Sequence, residues 1–210
     1  MASVTFAEKM GATVTLDGFA QRAAYKGPVV YVSNHMSTLE TMVYPTALNS
    51  FGKLSIILKK SLDAIPLVGK SARAVGSIAV TRTNAREDLK TVLEEGAQRL
   101  ATDSSVLLFP QGTRQKVFDA RRFNSLGAKL AERAGVPIVP LAVQTDFLQT
   151  GKWIKDFGRV DPSRPIRFAC GPVLMPTMGA KQMHEQSVHF IETQLRSWGL
   201  ALATEVKSAD

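Results

Sequence analysis

Short apolar runs alternate with helical patterns from residue 29 to residue 198, and this alternation constrains the fold more than any other feature. Runs this short suit strands, and the amphipathic segments between them suit helices laid over the resulting sheet. Strands are expected at 29–33, 54–58, 77–81, 106–109, 138–143 and 166–170, with helices near 38–48, 62–74, 85–101, 125–134 and 182–198. Strands separated by helices argue for an α/β fold, a single-domain mixed, largely parallel β-sheet flanked by α-helices. The domain is expected to occupy 13–200, between a short N-terminal segment at 1–12 and a polar C-terminal tail at 201–210.

Local signals punctuate this reading. Asn84-Ala-Arg-Glu87 is a capping pattern, and Leu89, Val92, Leu93 and Leu100 follow at helical spacing. Gly135 followed by Pro137 ends the next helix. The segment 144–165, with Gly151, Gly158, Pro162 and Pro165, reads as a long loop. Lys181 to Trp198 reads as an amphipathic helix whose apolar side carries Met183, Phe190, Ile191, Leu195 and Trp198, suited to packing on the sheet.

Composition enters as a set of exclusions. With 210 residues, 45% of them hydrophobic, the chain can bury a core of its own. Its single cysteine, Cys170, excludes an intramolecular disulfide and any multi-cysteine zinc site. His184 and His189 stand five apart rather than the four that aligns two ligands on a helix, so no metal is expected. No stretch without Asp, Glu, Lys or Arg exceeds 13 residues, which is too short for a membrane-spanning helix. The N-terminus has no basic start followed by an apolar block, so no secretory leader is expected.

The formal charge is +8, and the excess is clustered. Residues 53–82 hold Lys53, Lys59, Lys60, Lys70, Arg73 and Arg82 against Asp63 alone, and 114–133 hold six more basic groups against two acids. Such patches favour a nucleic acid, an anionic membrane or a phosphorylated substrate, and they also suit a solvated face with no partner. Nucleic acid is disfavoured because 53–82 contains no Phe, Tyr or Trp on which a base could stack.

Two stretches could carry chemistry. In Val29-Val-Tyr-Val-Ser-Asn-His-Met-Ser-Thr-Leu-Glu40, an apolar strand runs into His35 and then Glu40, five positions on. Inside one helix these side chains would diverge by about 140°. They meet if His35 stands in the loop and Glu40 in the first helical turn. Ser37-Thr-Leu-Glu40 is also a capping box, which alone would account for Glu40; a carboxylate has two oxygens and can serve both ends. In Val106-Leu-Leu-Phe-Pro-Gln-Gly-Thr-Arg114, a strand stops at Pro110, Gly112 allows close backbone approach, and Arg114 is placed to grip a phosphate. A plain strand-end turn with a surface Arg is the alternative. Arg82 and the pair Lys59-Lys60 also follow strands, and ligands collect at strand carboxyl ends in α/β sheets.

Together these stretches resemble the glycerolipid acyltransferase superfamily, the lysophosphatidic acid acyltransferases. Asn34-His-Met-Ser-Thr-Leu-Glu40 resembles its Asn-His-x4-Asp block, 58–69 its Ala-Lys-Lys-Glu-Leu segment, and 76–82 its Gly-x5-Arg block. Phe109-Pro-Gln-Gly-Thr-Arg114 resembles Phe-Pro-Glu-Gly-Thr-Arg, and Val136-Pro-Ile-Val-Pro-Leu141 the last apolar block, in family order. The resemblance implies transfer of a fatty acyl group from acyl-CoA or acyl-carrier protein to a lysophospholipid hydroxyl, with 1-acyl-glycerol-3-phosphate the leading acceptor. It implies His35 as general base, Glu40 as its orienting carboxylate, and Lys59 (or Lys60), Arg82 and Arg114 as phosphate ligands. Ser37, Gln111, Gly112 and Thr113 are expected at the acceptor's polar end, and no cofactor is needed beyond the thioester donor.

Glu40 stands where the family has Asp, and Gln111 where it has Glu, so a lysolipid with another head group is a second reading. About a dozen residues precede the resemblance, which implies peripheral contact with an anionic membrane from the cytoplasmic side. The rival from a different class is a non-catalytic module that binds anionic membranes or nucleic acid. Thioester hydrolysis with the same base is a third reading.

Overall fold

A computed structural model of the chain describes residues 8–9, 11–61, 76–149, 151 and 158–206. The helix expected near 62–74 lies outside the described residues. Among those described, seven strands form one sheet: β1 (Val14–Asp17), β2 (Val30–Ser33), β3 (Lys53–Lys59), β4 (Ile78–Val80), β5 (Ser104–Leu108), β6 (Ile138–Gln144) and β7 (Ile166–Cys170), in the order β1-β7-β6-β2-β5-β3-β4. Every neighbouring pair is parallel except β6 and β7. The expected mixed, largely parallel α/β architecture is the one observed.

The central strands are apolar on both faces because both faces are covered. Side chains alternate across a strand, so Val30 and Val32 of β2 enter one core cluster and Tyr31 enters the other. The first cluster lies under α3 (Ala85–Ala101), α4 (Leu126–Ala134) and α5 (Gly179–Ser197); the second includes α2 (Leu39–Leu48). The apolar side of α5 packs into the first core, with Met183, Ile191 and Leu195 almost wholly buried.

Caps fall where the sequence places them. Asn84 Oδ1 accepts from the Arg86 and Glu87 amides at the start of α3, and Gly135 closes α4 in the left-handed conformation. In α4, Gly127 is needed for packing: a Cβ there would stand 2.4 Å from Val32 Cγ1. The absent side chain lets α4 lie directly against β2.

Several elements differ from expectation. β1 and a following short helix, α1 (Phe19–Ala24), were not predicted, because a four-residue edge strand with an exposed Leu16 shows almost no periodicity. The start of β5 lies two residues ahead of its apolar run, at two serines. Their hydroxyls are used inside the sheet: Ser105 Oγ accepts from the Val29 amide, and Ser104 Oγ bonds Ser55 Oγ. The loop expected across 144–165 has its described ends fastened, through bonds from Gln149 N–H to Arg159 O and Asp161 N–H to Phe147 O. Beyond residue 200 the chain stays packed through a last turn, α6 (Ala203–Val206). Leu202 is buried, and Glu205 bonds Arg196, so the expected polar tail is not loose along this stretch.

Candidate active site

The parallel neighbours β6, β2 and β5 end side by side, and their carboxyl-terminal loops meet. After β2 the chain runs Asn34, His35, Met36, Ser37, and side chains hold this loop residue by residue. Asn34 extends the sheet with its own amide: Nδ2 donates to Val143 O at 2.9 Å, and Oδ1 accepts from Val143 N–H at 2.8 Å. The His35 amide donates to Gln111 Oε1 at 2.9 Å, and His35 O accepts from Gln115 N–H at 2.8 Å. The Met36 and Ser37 amides both donate to Glu40 Oε1, at 2.6 and 2.8 Å.

Glu40 is entirely buried in the first turn of α2, yet its carboxylate is surrounded by donors. Besides those two amides, Oε1 accepts from His35 Nδ1 at 2.8 Å, while Oε2 accepts from Ser37 Oγ at 2.9 Å and from Thr145 Oγ1 at 2.5 Å. Burial alone pushes the carboxyl up. The bond and charge of His35, the Thr145 hydroxyl and the backbone outweigh it, and Glu40 is held below the usual carboxylate range. The N-cap of α2 is Thr38, which makes no side-chain cap bond, so the expected Ser37–Glu40 capping box is replaced by a looser arrangement: Ser37 Oγ accepts from the Leu39 amide at 3.0 Å while Glu40 reaches back to the Ser37 amide. The same carboxylate therefore holds the loop entering the helix and the histidine.

That hold sets the tautomer. An ionised carboxylate only accepts, so His35 Nδ1 carries the hydrogen and Nε2 of the neutral ring keeps its lone pair. The ring stacks on Phe109 at 4.3 Å between centroids. Phe109 lies just outside β5, which ends one residue short of expectation because Pro110 cannot donate to a ladder. Leaving the ladder frees the Phe109 ring to face the imidazole.

Phe109 also lines a cleft of about 360 Å³ between α3, α4 and the end of β5. Its walls include Ile57, Val80, Leu89, Val92 and Leu126, and its polar rim includes Arg82, Gly112 and Lys129. Lys59 closes β3 in register with Val80, two residues before Arg82, so these two cations leave neighbouring strand ends. Arg82 takes a positive φ of 62°, and Asp88 fastens its turn by accepting from the Thr81 and Arg82 amides, each at 2.7 Å. Arg114 Nη1 donates to Thr38 Oγ1 at 2.7 Å, which brings it to the start of α2. Gly112 has φ 71°, and a Cβ there would meet nothing within 4 Å; it and Thr113 are exposed.

Two residues expected at the acceptor's polar end are buried with their polar atoms engaged. Ser37 is buried, with its hydroxyl used by Glu40 and Leu39, so it supports the carboxylate. Gln111 is 8% exposed and both its amide atoms are bonded, Oε1 to the His35 amide and Nε2 to Gln115 Oε1. Cys170 is buried, and burial pushes its thiol up to about 12, which leaves no thiolate near neutral pH. The described residues include no group of three His, Cys, Asp or Glu placed to hold a metal ion. No described helix is long and apolar enough to cross a membrane.

A family model described as Acyltransferase matches residues 13–144, more than half of the chain. The chain belongs to the acyltransferase family. Among its acyltransferase relatives, the 1-acyl-sn-glycerol-3-phosphate acyltransferase of Pseudomonas aeruginosa is 35% identical over 115 residues, 55% of this chain and 44% of the relative. One from Chlamydomonas reinhardtii is 29% identical over 181 residues, 85% of this chain and 52% of its own length. The chain thus spans about half the length of these curated relatives. The crystal structure of the 1-acyl-sn-glycerophosphate (LPA) acyltransferase PlsC from Thermotoga maritima superposes with a TM-score of 0.70 at 17% identity, covering 94% of this chain and 78% of that one. That likeness establishes an acyltransferase fold.

Thr145 and Gln115, which the sequence does not single out, complete this candidate site, with Asn34 and Phe109 quoted in motifs but given no role. Thr145 lies 105 positions from Glu40. No local pattern connects them; only the parallel pairing of β6 with β2 brings the two loops together.

Proposed function

We propose that the protein transfers a fatty acyl group from a thioester, acyl-CoA or acyl-carrier protein, to the hydroxyl of a lysophospholipid, with 1-acyl-glycerol-3-phosphate the leading acceptor. The observation that carries this reading is the buried, ionised Glu40 holding His35 Nδ1, which leaves Nε2 as a base. In the reaction Nε2 takes the acceptor's hydroxyl proton as that oxygen attacks the thioester carbonyl. The tetrahedral intermediate expels the thiolate, the C–S bond breaks, and the imidazolium returns the proton to sulfur. Glu40 stabilises the transient imidazolium without taking its proton, the division of labour known in hydrolase triads.

Lys59, Arg82 and Arg114 supply the positive charge for the acceptor's phosphate, with Gly112 and Thr113 beside it. The apolar walls of the cleft suit an acyl chain. The transfer is direct and needs no cofactor beyond the donor. The +8 charge supports peripheral contact with an anionic membrane, where the lysophospholipid acceptor resides.

The test is acyl transfer by the purified protein and its His35→Ala variant, with labelled acyl-CoA and acyl-carrier protein offered to a panel of lysolipids in liposomes. A diacyl product that disappears in the variant is expected. Thiol release without lipid product would replace transfer by hydrolysis. An active His35→Ala would remove the base from its assigned role.

A further inference from the structure

Gln111 occupies a position in the acyltransferase motif where the family pattern has a carboxylate, and both atoms of its amide are engaged beside the histidine loop. The neighbour on one side is an N–H, that of His35, so Gln111 must present Oε1 there. Its Nε2 then faces Gln115, which must answer with Oε1, at 3.0 Å. Gln115 Nε2 is left buried and makes no hydrogen bond among the described residues. A buried donor without an acceptor is destabilising, and the pair keeps it while satisfying the His35 amide. Gln115 holds the other side of the same peptide group as well, since its own amide donates to His35 O. Glu40 therefore positions the imidazole, and the two glutamines grip the main chain that carries it.

We infer that Gln111 and Gln115 form a neutral positioning pair that fixes the His35 backbone, and that Gln111 is not a ligand of the acceptor. This rests on the reading of His35 as the base. Gln111 sets turnover through His35, so replacing it lowers turnover alike for every lysolipid head group. Gln115 acts one step further out, through Gln111.

The test uses Gln111→Met, Gln115→Met, the double variant and Gln115→Glu in the full chain. Methionine keeps the side-chain length and removes the amide; glutamate restores an acceptor to Gln111 Nε2. The first readout is amide hydrogen exchange at His35 by NMR, with the β6 amides as a control for the overall fold. Exchange at His35 is expected to rise about tenfold or more in each methionine variant, in line with loss of one buried hydrogen bond. The double variant should be no faster than Gln111→Met, because both changes open one clamp, and Gln115→Glu should stay near the wild type.

The second readout is steady-state transfer. A fall in kcat of about tenfold, with acceptor KM within about twofold and the head-group ranking unchanged, is expected for both methionine variants. A changed ranking or a raised acceptor KM at constant kcat would make Gln111 an acceptor ligand and overturn the inference. Unchanged exchange at His35 would overturn it too. If the wild type forms no lipid product, the transfer reading fails by itself, and the exchange measurement still decides whether the pair clamps His35.

Discussion

Replacing Glu40 by Gln isolates the charge of the carboxylate from its geometry. The glutamine carbonyl can occupy the Oε1 position and accept from His35 Nδ1 and from the Met36 and Ser37 amides, and because the two amides can only donate, the carbonyl is fixed on that side. Its amide nitrogen then faces the Ser37 and Thr145 hydroxyls, which can rotate to accept. The variant should fold, with His35 in the same tautomer. What it loses is the attraction between carboxylate and imidazolium. For unit charges about 4 Å apart at an effective dielectric near 20, that attraction is about 4 kcal/mol. Since that attraction strengthens as the imidazole takes the proton along the reaction path, kcat is expected to fall by on the order of a thousandfold with little change in KM. The assay is steady-state diacyl product formation on lysophosphatidic acid, beside a thermal melt that checks the fold. A folded Glu40→Gln protein that keeps more than about a tenth of the wild-type kcat would refute the orienting-charge argument.

Three further predictions concern stability. Glu40 is held below its ordinary range, so its ionisation contributes stability above the unfolded carboxyl pKa of about 4.3, and that contribution is lost as pH falls through the lower folded value. The stability gap between wild type and Glu40→Gln should close as the pH drops below about 4; a gap that stays constant in acid would contradict this. Gly127→Ala puts a Cβ 2.4 Å from Val32 Cγ1. The overpacking cost of about 1–3 kcal/mol exceeds the roughly 1 kcal/mol gained in helix propensity, so urea melts should show a net loss. Arg22, 1% exposed, donates to Tyr31 Oη, Tyr25 O, Gly27 O and Phe51 O. Arg22→Met strands these acceptors and should cost about 2–4 kcal/mol in the same measurement.

Arg22 illustrates what the sequence could not reveal. Nothing in its local pattern distinguishes it from the surface arginines, and α1 is too short to show a period. Its burial follows from four oxygens that converge from separate segments, and from three aromatic rings within 6 Å of its guanidinium. Its effect reaches Tyr31: burial pushes that phenol up to about 12, opposed by the arginine's charge and hydrogen bond. Ser104 and Ser105 were missed for a related reason, since serine reads as a turn former until its hydroxyl finds a partner across the sheet. By contrast β7 lies where its apolar run predicts, and α3 begins and ends at its expected residues, because strong periodicity and a cap act within a few residues of each other.

The residues proposed to do chemistry divide the same way. His35 and Glu40 were legible as a pair because the five-residue spacing, a strand end and a capping box all lie in one short stretch. The resemblance to a family then supplied a role for them, and for Arg114 and Arg82, without any contact being known. Which groups surround them was decided only by tertiary structure. Thr145, Gln111 and Gln115 reach the histidine loop because β5 and β6 flank β2 in parallel, and strand order is a property of the whole chain's packing. The same packing buries Ser37 and Gln111 and engages their polar atoms within and beside the histidine loop. Sequence determines which chemical groups are available and where the local backbone turns. Burial of both sheet faces determines which of those groups meet, and so which of them are left free to act on a substrate.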